Sequence, residues 1–172
     1  MAASKKSNVL SLSRVYDAPL QAVWNAWTNP EEVAQWWGPR GYDNPVCDMD
    51  VRPGGRYRIV MRSPEGAEYP IVGEFVEIVK PSRIVMTMDA SEHPKEFFDQ
   101  LDAARPPSEK GRGFRPLTTV LFDEHFGKTT VTVIQTFETP ADVDANRKLG
   151  AEEGWGQSFE KLDAELVRGS AA

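Results

Sequence analysis

The stretch TPADVDANRKLGAEEGWGQSFEKLDAELVR, residues 139–168, has the pattern of one long amphipathic helix. Thr139 is a good N-cap residue, Pro140 suits the first helical position, and Asp142 stands where the acid of a capping box is expected. The apolar side chains that can share one broad stripe at helical spacing are Leu149, Trp155, Phe159, Leu162 and Leu166. A helix of this length can cover one face of a sheet, so we expect the rest of the chain to be arranged around it.

Three glycines interrupt this helical pattern, namely Gly150, Gly154 and Gly156. Each costs about 1 kcal/mol relative to alanine in a helix interior, so their presence needs an explanation. One interpretation is a break between two shorter helices, or a close approach of the helix to a strand. The other interpretation is that small residues leave empty volume beside the helix, which a ligand cavity would need.

Length and composition favour a single domain, which we place at residues 8–169. The chain has 172 residues, and a chain of this size buries roughly 70% of its unfolded surface. The single cysteine, Cys47, excludes an internal disulfide and fits a reducing, cytoplasmic compartment. The net charge of -6 argues against non-specific binding of nucleic acid. The polar N terminus predicts neither a signal peptide nor a membrane span.

The chain that precedes residue 139 changes from helical to strand periodicity. Asn8 to Tyr16 alternates as a strand does, and residues 17–38 then carry two short helices with four tryptophans, Trp24, Trp27, Trp36 and Trp37. From Tyr42 a period of two predicts strands at 44–51, 55–62, 68–79, 83–89, 117–126 and 128–138. Strands joined by short turns pair antiparallel. The predicted fold is therefore α+β, a curved antiparallel sheet of about six to seven strands around the C-terminal helix.

Residues 91–116 interrupt this run of strands and are predicted to be an insertion. Pro94 to Ala104 can form a short helix that presents Phe97 and Leu101 one turn apart. We interpret Phe97, Phe98 and Leu101 as a lid near Trp37, with one phenylalanine left for a second subunit. A partly disordered surface insertion is the alternative, because a connection this long is usually either functional or disordered.

Inward-facing residues of two strands predict a ligand cavity between sheet and helix. Tyr57, Ile59 and Met61 alternate with arginines, and the strand that ends near Glu138 alternates in the same way. The predicted cavity residues are Trp37, Tyr57, Ile59, Met61, Val133, Gln135, Phe137, Trp155 and Phe159.

Signatures of catalysis and metal binding are missing from the sequence. The two histidines, His93 and His125, lie far apart and make no zinc spacing with Cys47. The stretch GQSFE at 156–160 lacks the final glycine of a nucleophile elbow. We therefore predict no catalytic residue, no metal and no cofactor, and we interpret His93 as a cap of the short helix.

Short stretches along nearly the whole chain resemble a known family in the family's order. They are RVYDAP at 14–19, VW at 23–24, AW at 26–27, QWWGP at 35–39, RPGG at 52–55, GE at 73–74, KPSRI at 80–84, TTV at 118–120 and EGW at 153–155. They are similar to stand-alone members of the Hsp90-ATPase-activator-homologue family, within the START/Bet v 1-like superfamily. The resemblance implies a helix-grip fold with a cavity between sheet and helix. It also implies relatives as different as lipid carriers, hormone receptors, polyketide aromatase/cyclases and a co-chaperone.

Three functions are compatible with these features. The first is a binding module that holds a small hydrophobic or amphipathic molecule in the cavity. The second is a co-chaperone-like interaction protein that stimulates an Hsp90-type ATPase in a stress response. The third is a cyclase or hydrolase acting on a hydrophobic substrate, which would need an inward polar pair such as Tyr57 with Glu74 or Gln135. The expected partners are a small hydrophobic molecule and a second copy of the chain, with a chaperone as an option.

Overall fold

The computed structural model describes residues 7–170, which form one antiparallel sheet and five α-helices. The strands are β1 (Val9–Tyr16), β2 (Asp43–Met49), β3 (Arg56–Arg62), β4 (Glu68–Val79), β5 (Arg83–Thr87), β6 (Leu117–His125) and β7 (Lys128–Thr136). The helices are α1 (Leu20–Thr28), α2 (Pro30–Trp36), α3 (Lys95–Ala103), α4 (Pro140–Lys148) and α5 (Ala151–Ser170), with a 3-10 turn at Pro107–Glu109. The predicted helix-grip fold is confirmed, and its sheet has seven strands.

The sheet follows the chain order except at one edge, where β1 pairs with β7 in the order β1-β7-β6-β5-β4-β3-β2. All pairs are antiparallel, and β1 lies on β7 with Val9 opposite Thr136 and Tyr16 opposite Thr129. This pairing places the first strand beside the strand that leads into the C-terminal helices. One face of the sheet therefore closes around α5.

The C-terminal stretch forms two helices and not the single predicted one, because the chain turns at Leu149 and Gly150. Gly150 has a φ of +90°, in the left-handed region that side chains disfavour and that often terminates helices. At the start of α4, the Thr139 hydroxyl accepts a hydrogen bond from the Asp142 backbone N–H at 3.2 Å, as the capping pattern predicts. The interpretation of the glycines as a helix break is thus confirmed at Gly150, whereas Gly154 and Gly156 lie inside α5.

Aromatic side chains fill one half of the concave face of the sheet. The ring centroids of Trp24 and Phe122 are 5.1 Å apart, and those of Trp27 and Trp36 are 4.6 Å apart. Phe159 of α5 packs edge-on against Tyr16 of β1 at 6.5 Å. These side chains are all buried, and each buried large apolar group stabilises the fold by about 1.5–3 kcal/mol. This half of the molecule is a closed core.

The insertion at residues 91–116 folds onto the body of the protein. Its two ends pair through the backbone, from Ala90 N to Phe114 O at 3.2 Å and from Met88 N to Pro116 O at 3.3 Å. Leu101 of α3 is fully buried. Within residues 7–170, no helix is both long and apolar enough to cross a bilayer.

Candidate ligand-binding site

A cavity of about 220 Å³ lies in the other half of the concave face, beside the α4–α5 break. The turn after α2 supplies Trp37, Gly38 and Pro39, the sheet supplies Met61, Ile71, Met88 and Gln135, and the insertion supplies His93, Phe97 and Phe114. The two C-terminal helices and their break supply Asn146, Leu149, Gly150, Ala151, Gly154, Trp155 and Ser158. Most of these side chains are apolar, as is usual for ligand pockets.

Small residues of the C-terminal helices help to keep this volume open. Gly150 and Gly154 both line the cavity. A Cβ atom added at Gly154 would lie 3.9 Å from Cγ of Pro39, across the mouth. By contrast, a Cβ added at Gly156 would meet nothing within 4 Å, and Gly156 is not part of the wall. Gly150 therefore both carries the helix break and borders the cavity, and Gly154 borders it from within α5.

The turn at residues 37–42 is fastened to α5 by a half-buried ammonium group. Nζ of Lys161 lies 3.3 Å from each carbonyl oxygen of residues 37–39 and 3.2 Å from that of Tyr42. The Ser158 hydroxyl donates to the Gly38 carbonyl at 2.9 Å. Burial lowers the pKa of Lys161, while nearby Asp43 opposes that effect. These bonds hold Trp37 in place as one wall of the cavity.

Gln135 provides a buried amide at the floor of the cavity. Its Oε1 accepts a hydrogen bond from Nε1 of Trp155 at 3.3 Å. Its Nε2 has only long contacts, 3.4 Å to the Thr118 hydroxyl and 3.5 Å to Sδ of Met88. Trp155 in turn stacks against Trp27 and meets Trp37 edge-on at 5.6 Å. The tryptophan thus links the packed core to the cavity wall.

His93 lies between two aromatic rings on the insertion side of the cavity. Its ring centroid is 4.7 Å from that of Phe97 and 5.3 Å from that of Tyr69. Both ring nitrogens are buried and have no hydrogen-bond partner among the described residues. Burial lowers the pKa of His93 to about 4, so the ring is neutral at pH 7. The interpretation of His93 as a helix cap is wrong, because Pro94 occupies the N-cap position of α3 and no side chain caps it.

Buried ion pairs fasten the second half of the insertion to the first turn of α4. Nε of Arg105 donates to Asp142 at 3.0 Å, and Nη2 of Arg112 donates to the other oxygen of the same carboxylate at 2.6 Å. The side chains of Arg105 and Asp142 are only 3% and 6% exposed, so their charges need compensation. Beyond their own pair, Arg112 compensates Asp142, and Asp102 contacts Arg105 at 3.1 Å. Arg112 also contacts Glu138 at 2.6 Å. The sequence pattern assigned Asp142 to helix capping and gave no signal for this cluster.

The predicted cavity residues divide between the cavity wall and the closed core. Trp37, Met61, Gln135 and Trp155 line the cavity. The others are buried core residues outside the wall, namely Tyr57, Ile59, Val133, Phe137 and Phe159. Of the three predicted lid residues, Phe97 lines the cavity, and the ring centroid of Phe98 is 5.2 Å from that of Phe97. Leu101, also in α3, has a fully buried side chain.

Tyr57 does not form the polar pair that an enzyme would need. Its hydroxyl donates to the backbone carbonyl of Thr87 at 2.5 Å. Its ring covers Gly73, where an added Cβ would lie 2.8 Å from the hydroxyl oxygen. Glu74 is exposed on the other face of β4, and Gln135 is bonded to Trp155. Tyr57 pairs with neither residue.

A larger depression, of about 990 Å³, lies across β2 to β5 but is open to solvent. Its walls include the charged residues Asp48, Arg56, Arg58, Glu74 and Asp89. Because charged walls of this kind do not exclude water, we place the candidate site in the smaller cavity, whose walls are mainly apolar. Within residues 7–170, no group of histidine, cysteine and acidic side chains is arranged to hold a metal ion.

Solved structures of bacterial proteins share this fold. A protein from Nitrosomonas europaea has a TM-score of 0.77 at 25% identity, with 95% of this chain and 97% of that chain covered. A protein from Chromobacterium violaceum has a TM-score of 0.72 at 25% identity, with 92% and 96% covered. The AHSA1 protein from Silicibacter pomeroyi has a TM-score of 0.69 at 24% identity, with 92% and 97% covered.

Sequence comparison gives the family of the chain. No curated protein matches it significantly. The family model described as activator of Hsp90 ATPase homolog 1-like protein matches residues 17–167. Since that match covers most of the chain, the chain belongs to the activator of Hsp90 ATPase homolog 1-like family.

Proposed function

We propose that this protein binds a small, largely apolar molecule in the cavity beside the α4–α5 break. The observation that carries the proposal is the cavity of about 220 Å³, with mainly apolar walls and few polar groups. An apolar cavity of about 150 Å³ holds benzene in another protein, so this one has room for about nine non-hydrogen atoms. The atoms that line an empty cavity lack contact partners on one side. A molecule of that size would fill the space and gain dispersion contacts with them.

The insertion supports this proposal as a cover for the site. Phe97 of α3 and His93, which directly precedes the N-cap residue Pro94, both line the cavity, as does Trp37. We assign the lid role to Phe97, with Leu101 as its buried anchor. Phe98 is the residue of the lid that a second copy of the chain would contact. Cys47 has no disulfide partner, which fits the proposed cytoplasmic location.

The test is native mass spectrometry of protein purified from its source, compared with the mass of the denatured chain. We expect a bound molecule whose mass fits the cavity. Gly154→Leu should abolish its retention, because the new side chain would project at the mouth near Pro39. Gly156→Leu is the matched control on the same helix and should retain the molecule, since Gly156 faces open space. An unliganded wild-type protein that also binds no small aromatic probe would refute the proposal.

Stimulation of an Hsp90-type ATPase is the second candidate, and family membership is the observation that favours it. In this case the protein would act through its outer surface and would serve a stress response. The measurement is the rate of ATP hydrolysis by the chaperone of the same organism, with and without this protein, together with a pull-down. If the chaperone neither binds this protein nor hydrolyses ATP faster at saturating protein, this function is excluded.

A further inference from the structure

We infer that the molecule in the cavity is uncharged and carries a hydroxyl group, as an alcohol or a phenol does, and that this group forms a hydrogen bond with the imidazole of His93. This inference rests on the proposed function and specifies the chemistry of the ligand. His93 lies in the insertion, directly before the N-cap residue Pro94 of α3, and it lines the cavity. A molecule in the cavity therefore lies beside this side chain.

The two ring nitrogens of His93 are polar atoms that the protein itself leaves unpaired. Within residues 7–170, four buried side-chain nitrogen or oxygen atoms have no hydrogen-bond partner, and the two of them that belong to the cavity wall are both on His93. A buried polar atom without a partner destabilises a protein, so such atoms in a folded chain need an explanation. A ligand group that bonds to the ring supplies one.

The other polar side chains of the cavity wall each have a hydrogen bond within the protein. The Gln135 amide accepts from Trp155 at 3.3 Å. Ser158 donates to a backbone carbonyl of the turn after α2 at 2.9 Å, and Asn146 donates to a carbonyl of its own helix at 2.8 Å. Their oxygens can accept a further bond, but none of these side chains depends on a ligand for its first one. His93 is therefore the wall residue that gains most from a polar group on the ligand.

A hydroxyl group is the ligand group that best pairs with a neutral imidazole. One ring nitrogen carries a hydrogen and donates, and the other has a free lone pair and accepts. A hydroxyl group can accept from the first or donate to the second, so it suits either tautomer, whereas an ether only accepts and a hydrocarbon does neither. The ring is held in place for such a bond, because it packs edge-on against Tyr69 of β4 and Phe97 of α3.

The cavity wall offers no counter-charge to an ionised ligand. His93 is the one wall residue with an ionisable side chain, and burial lowers its pKa to about 4, so the ring is neutral at pH 7. The ammonium group of Lys161 lies beside the wall but donates to backbone carbonyls. A carboxylate or an ammonium group in the cavity would lose its hydration without gaining an opposite charge. The ligand is therefore uncharged.

The test compares three probes of similar shape, titrated by calorimetry at pH 7. The first, 4-ethylphenol, carries a hydroxyl group that is neutral at this pH. In the second, 4-ethyltoluene, a methyl group replaces the hydroxyl, and in the third, 4-ethylbenzoate, a carboxylate replaces it. The proteins compared are the wild type, His93→Phe, which keeps an aromatic ring without nitrogens, and the control His125→Phe, whose histidine is exposed on β6.

We expect the ratio of the affinities for 4-ethylphenol and 4-ethyltoluene to fall about fivefold in His93→Phe, as for the loss of one hydrogen bond. A ratio cancels the different hydration of the two probes and any general loosening of the cavity. His125→Phe should leave the ratio unchanged. We also expect 4-ethylbenzoate to bind to the wild type at least about 100-fold more weakly than 4-ethylphenol.

The NMR resonances of the ring nitrogens give a second readout, which a purely structural role of His93 would not move. The chain has two histidines, so the spectrum of His125→Phe assigns the resonances of His93. These resonances respond to hydrogen bonding at each nitrogen. We expect 4-ethylphenol to shift them several times more than 4-ethyltoluene does.

Three results would overturn the inference, and they can be told apart. If the two neutral probes bind and their affinity ratio is the same with and without His93, the cavity binds ligands but His93 does not select a hydroxyl group. If 4-ethylbenzoate binds as tightly as 4-ethylphenol, the exclusion of charge is wrong. If no probe binds to the wild type, the proposed function fails together with this inference. His93→Leu serves as the test variant if His93→Phe does not fold.

Discussion

The neutral ring of His93 makes the stability of this protein sensitive to acid. Burial lowers its pKa to about 4 in the folded state from 6.5 in an exposed reference. The unfolded chain therefore takes up a proton at a higher pH than the folded chain does. The stability that neutral His93 provides is present above about pH 6.5, and it is lost as the pH falls through about 4.

We predict that His93→Phe reduces the dependence of the free energy of unfolding on pH between about 6.5 and 4. Phenylalanine keeps the ring contacts with Tyr69 and Phe97 but cannot take up a proton. Chemical denaturation at a series of pH values measures the effect. His125→Phe, at an exposed position of β6, is the control and should retain the wild-type slope. If the free energy of unfolding depended on pH equally in all three proteins, the lowered pKa of His93 would be contradicted.

Phe159 tests the packed half of the concave face. It is 2% exposed and contacts Tyr16 and Trp155. We predict that Phe159→Ala lowers the free energy of unfolding by about 3–5 kcal/mol, because it removes a large side chain from a closed core. Phe126→Ala is the matched control, since Phe126 is fully exposed at a hairpin tip. A denaturation midpoint of Phe159→Ala close to that of Phe126→Ala would show that this half is not closed.

Single residues also show where prediction from sequence ends. Alternation predicted that Tyr57 and Ile59 face inward, and both are buried. Alternation identifies a face of a strand, however, and not a position along the concave surface. Phe159 and Trp155 share one helical stripe, yet Phe159 belongs to the core and Trp155 reaches the cavity. That difference depends on which elements lie opposite, which no local pattern contains.

At the level of elements, the break between α4 and α5 combines a backbone requirement with the shape of the site. Gly150 supplies the left-handed residue at the turn. Gly154 and Gly156, within α5, have regular helical backbone, so the turn does not require a glycine at either position. The sequence showed that glycines were concentrated here, but it did not show which glycine carries the turn. That distinction depends on the backbone angle and not on residue type.

Substitution by alanine separates these glycines. We predict that Gly150→Ala destabilises the protein by about 1–2 kcal/mol, because an L-residue is strained at a φ of +90°. Gly156→Ala should stabilise it by up to about 1 kcal/mol, since alanine is the better helix former and the added Cβ meets nothing within 4 Å. Thermal and chemical unfolding measure both changes. Changes of the same sign would refute this assignment of the break.

The insertion and α4 are joined by charges that the sequence did not reveal. Arg105 and Asp142 are separated by 37 positions, so neither periodicity nor a motif connects them. We predict that Asp142→Asn costs about 3–5 kcal/mol, because Arg105 would remain buried with reduced compensation. The control is Asp99→Asn, which breaks an exposed pair with Lys95 and should cost at most about 1 kcal/mol. Equal stabilities of the two variants, measured by denaturation, would contradict this account.

At the scale of the whole molecule, the concave face of the sheet is divided into a packed half and an open half. The predicted order of the strands is confirmed, because strands that pair with chain neighbours leave clear turn signals, whereas the single predicted C-terminal helix is two helices. The division was not predictable, because it arises where α1, α2 and α5 meet distant strands. The insertion supplies part of the wall of the open half through His93, Phe97 and Phe114. The protection of the insertion from hydrogen exchange is therefore the property of the whole molecule that most directly reports on the site.

Hydrogen exchange measures how well the backbone amides of the insertion are protected from solvent. We predict that amides from Phe97 to Leu101 are protected in the free protein, because Leu101 is buried and Arg105 fastens the segment that follows to Asp142. Their protection should increase with saturating 4-ethyltoluene if α3 is a lid, and with protein concentration if Phe98 contacts a second copy. Amides of Val131 and Val133 in β7 should stay protected throughout and serve as the internal reference. Exchange of α3 at the rate of an unstructured peptide, unchanged by probe or by dilution, would leave the insertion without either role.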